Sequence, residues 1–152
     1  LRDELKERLQ GLLEEELRVY ECLGTLIDDE EGCVRQQNME GLLAVLQEKQ
    51  QHISRQEKLL EQWIAVSRSL GVAEGREGPA FWAALSRRVG EQGFRDLVDR
   101  VNHIRDLAAA LLDKERRVQQ ELEIHLEALR AKLVQMKQGR QALRGYAGTS
   151  RG

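Results

Sequence analysis

Three histidines and two cysteines are the chemically most versatile residues of this 152-residue chain. His52 follows Glu48 by four positions, His103 follows Asp99 by four, and His125 follows Glu121 by four. On a helix these pairs are neighbours on one face, so His52 and His103 read as exposed pairs and His125 as part of an apolar seam. No histidine has the further ligands that zinc needs, and the Glu-x-x-His repeats of di-iron bundles are missing. Cys22 and Cys33 on one helix would stand about 16 Å apart, too far for a disulfide, and free thiols fit a reducing compartment. The glycine-containing stretch GVAEGREG (71–78) lacks the Lys-Ser/Thr of a phosphate loop and follows no strand. The expectation is a protein that is not an enzyme, with no catalytic residue, no metal site and no cofactor.

What the sequence does carry is periodicity. Charged residues make up 33% and aromatics 4%, with one proline, a composition of helices rather than sheets. The expected fold class is all-α: an elongated antiparallel helical hairpin or coiled-coil bundle with a short third helix and a long C-terminal helix, forming one domain over 1–152. Leu5, Leu9, Leu12, Glu16, Val19, Leu23, Leu26, Glu30 and Cys33 repeat at alternating steps of four and three, a coiled-coil-like seam. Leu13, Leu17, Tyr20, Ile27 and Val34 form a second stripe beside it, so helix 1 (about 2–34) can face two neighbours.

Asn38 is placed as an N-cap, and the next seam is Met39, Leu42, Leu46, Lys49, Ile53, Gln56, Leu60, Trp63, Ser67 and Leu70. Helix 2 (39–70) must then fold back on helix 1, making a hairpin over 2–70. Lys49 and Gln56 interrupt the seam and are expected to fix register, with stems packed and heads reaching outward. A linker and short helix fill 71–93, where Pro79 suits a first helical turn and the glycines at 90 and 93 suit an end. Trp63, Phe81, Trp82 and Phe94 are expected to close the bundle as an aromatic plug.

The last seam is the longest: Leu97, Val101, Ile104, Ala108, Leu111, Glu115, Val118, Leu122, His125, Leu129, Lys132, Met136, Gly139, Leu143 and Tyr146. It predicts a helix over 94–143 and a flexible tail over 144–152. Because the hairpin arms are shorter, this helix runs out of neighbours near residue 127. Its apolar residues beyond that point are offered to another helix. Charge divides the same way: residues 1–37 carry a net −6, whereas 128–152 carry +6 and no acid after Glu127. The basic residues are scattered and accompanied by one aromatic, Tyr146, which argues against nucleic acid as a partner. No apolar run approaches a membrane span and no secretory pattern is present, so stable membrane insertion is not expected.

The stretches LLEEELRVYECLGTLIDDE, NMEGLLAVLQEKQQHISRQEKLLEQW and VNHIRDLAAALL, followed by a tyrosine ahead of a glycine in GYAGTS, resemble the FlgN family of flagellar type III export chaperones. The resemblance covers almost the whole chain and lies in the order of elements more than in any single motif. One departure is that Asn102 is followed by His103, Ile104 and Arg105, where the family often has a second asparagine. The resemblance implies a bacterial cytoplasmic chaperone that binds the C-terminal helical segments of hook–filament junction proteins, keeps them from assembling prematurely and delivers them to the export apparatus. Combined with the seam, it points to Leu122, Leu129, Leu133, Met136 and Leu143 as cargo-binding residues. By position Tyr146 corresponds to a family tyrosine associated with docking on the export gate. The alternative from a different class is a structural coiled-coil subunit that satisfies its seam by homo-oligomerisation; a chaperone of this kind would form at most a weak homodimer.

Overall fold

The computed structural model describes the backbone of residues 2–150 and the side-chain surroundings of residues 4–145. It is all-α: α1 (Arg2–Gln36), α2 (Met39–Ser69) and α3 (Pro79–Ser150). Pro79 opens α3, where its fixed φ and missing N–H cost nothing. Gly90 (φ 78, ψ 171) breaks the helical path inside α3, separating a short arm from a long one at the place the glycines predict. The long arm continues through Gly145 to Ser150, past the end near 143 read from the sequence. Glycine lowers helix propensity by only about 1 kcal/mol and is tolerated within a long run of good helix formers.

The turn between α1 and α2 shows why the hairpin closes so tightly. The Asn38 N–H donates to the Cys33 carbonyl at 2.9 Å and the Gln37 N–H to Val34 at 3.2 Å, so α1 ends in a Schellman motif with Gln37 in the left-handed position (φ 56). One residue later the Asn38 side chain accepts from the Gly41 N–H at 3.0 Å and starts α2. α2 ends in the same motif, with Gly71 (φ 74) in the left-handed place and the Val72 N–H donating to Ser67.

α1 is the central helix, packed closely by both α2 and α3, whose own backbones seldom approach each other. Its two stripes account for this: Leu9, Leu12, Val19, Leu23 and Leu26 are buried on one, and Leu13, Ile27 and Val34 on the other. Pairs from α1 to α3 run in the same direction along both helices, from Lys6 with Asp96 and Glu14 with Arg100 to Asp28 with Lys114 and Arg35 with Glu121. α3 is therefore parallel to α1 and antiparallel to α2.

On α2 the buried face differs from the sequence seam in one of its two rows. Leu42 and Trp63 are buried as expected, but Leu59 and Val66 are buried where Leu60 was expected, and Leu46 and Leu60 face outward. The two candidate rows differ by one residue, about 100° around the helix. α1 lies on the side that takes Leu59 and Val66, which leaves Leu43, Leu46, Leu60 and Ile64 exposed.

Candidate functional site

The described side chains divide α3 into a packed part and an overhang. Leu97, Val101, Ile104, Leu111 and Val118 are core residues, each one helical repeat after another on the predicted seam. Leu122 is half-buried and still packs against that core. From Leu126 to Gly145 every residue is exposed, since α1 has ended at Gln36 and α2 begins at Met39. Leu129, Leu133, Met136 and Leu143 are 53%, 56%, 55% and 71% exposed. Ile124 and Val134 add further exposed apolar surface that the heptad reading left out because they fall off its two rows.

Of the residues predicted to bind a partner, four thus lie on the overhang and Leu122 at its root, against the bundle. Tyr146 falls in the helical backbone, but its side chain lies outside the described residues. At the root, Val34, Met39 and Leu42 of the hairpin tip and Leu122, Leu126 and Leu129 of α3 line a recess of about 190 Å³. Along the overhang past Glu127, Arg130, Lys132, Lys137, Arg140 and Arg144 are exposed and no acid accompanies them, so that part of the apolar stripe has basic flanks.

The bundle that holds this overhang is fixed by polar layers at the very positions where the apolar seams are interrupted. The Lys49 ammonium donates to Glu30 at 2.8 Å and to Glu115 at 2.7 Å, tying the three helices together. Its head does not reach outward as the sequence suggested: Lys49 and Glu30 are both buried, because two carboxylates from facing seams meet it there. Burial lowers the lysine's affinity for its proton, but hydrogen bonds and charge from Glu115 and Glu30 outweigh it, and the pKa is raised above the ordinary value. One layer away the Gln56 amide donates to the Tyr20 hydroxyl at 2.8 Å. Burial first, and then the Glu16 charge, raise the Tyr20 pKa.

Arg76 is the functional support that sequence reading missed. In the loop read as a linker, its guanidinium donates two hydrogen bonds, 2.6 and 2.5 Å, to buried Glu16 and lies 4.7 Å over the Trp63 ring. Its carbonyl accepts from the Trp82 indole at 2.6 Å. Trp63, Phe81, Trp82 and Phe94 form a chain of edge-to-face contacts at centroid distances of 5.3 to 6.1 Å, the aromatic closure expected at this end. The available signal was Glu16 on the α1 seam, a buried carboxylate that required a cation.

His52, His103 and His125 join no group of metal-ligating residues among those described. Cys22 and Cys33 are free thiols. Among the described residues no helix is long and apolar enough to cross a membrane.

Fold and site define an elongated all-α protein whose longest helix outlasts its neighbours and carries an uncovered apolar stripe. Comparison with known families supplies the identity of that class: the FlgN protein family matches residues 5–151, and the chain belongs to it. Comparisons with curated proteins and with solved structures returned no match.

Proposed function

We propose that this protein is a flagellar export chaperone whose α3 overhang binds the C-terminal helical segments of hook–filament junction proteins. The observation that carries the reading is the exposure of Leu129, Leu133, Met136 and Leu143 on a helix whose preceding turns are core. A cargo helix laid on this stripe is shielded from assembly until export, and no nucleotide or cofactor is required. An interface of roughly 600–800 Å² per partner is of standard size. After the costs of association it gives micromolar to nanomolar binding, tight enough to hold and weak enough to release. The site of action is the cytoplasm, and Tyr146 at the far end serves docking on the export gate.

Family membership supports the chaperone reading, and the basic flanks favour an unlike partner over pairing of two overhangs. The test is retention of a purified hook–filament junction protein by the full chain and by a chain ending at Glu127. Loss of retention on truncation is expected; equal retention would overturn the assignment. Mass measurement in solution addresses the homo-oligomer alternative: a monomer or a dilution-labile dimer is expected, and a stable oligomer with a protease-protected overhang would favour the coiled-coil subunit.

A further inference from the structure

The recess at the root of the overhang joins two elements that the partner site would otherwise not share. Val34 and Leu42 form its floor as core residues, while Met39 in the first turn of α2 stands 56% exposed on its rim. The polar residues lining it are Gln37, His125 and Lys132; the exposed acids Glu40 and Glu127 are next in sequence to its lining but not part of it. The floor is apolar, the rim is apolar with Lys132 as its charged member, and Leu133 and Met136 continue from Leu129 along the same helix.

We propose that this recess anchors the partner: an acidic amphipathic helix seats one large apolar side chain between Met39 and Leu129 and lays its apolar face along Leu133 and Met136. This rests on the partner-binding role of the overhang and adds a hairpin-tip contact and a required sign of charge. Charge selects the occupant. The overhang offers only cations after Glu127, so an acidic helix is attracted while a second overhang is repelled. A second copy's acidic helix, α1, is no substitute, because both of its apolar stripes are already buried in its own core. Seating an anchor in a recess that excludes water is also where binding energy concentrates in helix-in-groove complexes.

The two methionines of the sequence, Met39 and Met136, stand one on each half of the proposed site. Methyl-labelled full-length protein is titrated with a synthetic peptide spanning the C-terminal helical segment of a hook–filament junction protein. Both methyl signals are expected to shift on one binding curve. Met39→Asp is expected to weaken the peptide at least tenfold without lowering the melting temperature, since an acid in the first turn of a helix is favourable. Met39→Lys should weaken it less than Met39→Asp. Movement of Met136 alone, or unchanged binding by Met39→Asp, overturns the anchor and leaves the overhang reading intact. Equal loss from Met39→Lys and Met39→Asp overturns the requirement for an acidic helix. Peptide binding by the chain ending at Glu127 as tight as by the full chain, or no shift of either methyl, overturns the overhang reading itself. Shifts that follow protein concentration without peptide identify a second copy as the occupant and overturn the proposal.

Discussion

Lys49 and Glu30, from opposite arms of the hairpin, are buried side by side with ammonium and carboxylate 2.8 Å apart. Removing Lys49 strands the buried Glu30 charge, whereas removing both leaves only Glu115, whose carboxylate is part-exposed and reaches solvent. Lys49→Ala should therefore cost about 3 kcal/mol, and Glu30→Leu combined with Lys49→Met should fall within about 1 kcal/mol of the parent or exceed it. Urea unfolding followed by circular dichroism measures both; a loss well under 1 kcal/mol in Lys49→Ala would remove the pair from the account of stability.

The same layer predicts alkaline sensitivity. Lys49 has a raised folded pKa, so its contribution is complete below the unfolded value near 10.5 and is lost as pH rises through the folded value. Tyr20, also raised, acts in the same direction, since its phenolate forms more readily in the unfolded chain. Urea midpoints should fall from pH 10 upward, and Lys49→Met should flatten part of that fall. An unchanged pH slope in Lys49→Met would contradict this assignment.

Gln37 and Gly71 fill the same left-handed place in two copies of one capping motif. A side chain there costs roughly 1 kcal/mol. Gln37→Gly should stabilise the protein by about 0.5–1 kcal/mol, and Gly71→Ala should destabilise it by about 1 kcal/mol. Thermal melts of the two variants should move in opposite directions; a fall in both would show that the Gln37 side chain has a compensating role.

On the overhang, substitution separates binding from folding. Leu133→Asp or Met136→Asp should lower junction-protein binding at least tenfold, while the melt stays within the roughly 0.5 kcal/mol expected of surface changes. Tyr146→Ala should spare cargo binding and reduce export. Destabilisation of the free protein by the first two would show that these residues are ordinary core.

Much of this architecture was legible because its cause is local. The steps of three and four in α1 and α3 place Leu9, Leu23, Leu97, Val101 and Val118 in the core, and Asn38 caps α2 as its position suggests. The two stripes of α1 foretold two neighbours, and comparing helix lengths placed the end of cover within a turn of Leu126. What escaped was set by helices finding one another in three dimensions. Leu59 rather than Leu60 is buried because α1 lies on one side of α2 and not the other. Lys49 is enclosed because Glu30 and Glu115, polar interruptions in two other seams, arrive at its level. Arg76 sits in a glycine-rich loop, where no periodicity marks a residue as part of the core. The recess at Met39 and Leu129 was likewise hidden, since those residues are 90 positions apart in sequence.

The parallel pairing of α1 and α3 also has a kinetic meaning. Asp28 with Lys114 and Arg35 with Glu121 are each separated by 86 residues, whereas the hairpin closes through a turn of a few. Loop-closure entropy makes near contacts form before distant ones, so the hairpin is predicted to nucleate and α3 to zip onto it afterwards. Leu59→Ala should then slow folding, and Val118→Ala should mainly hasten unfolding; equal slowing by both in stopped-flow refolding would reverse the order. In that sequence of events the helix that meets the partner is the last to be anchored and the first to come loose.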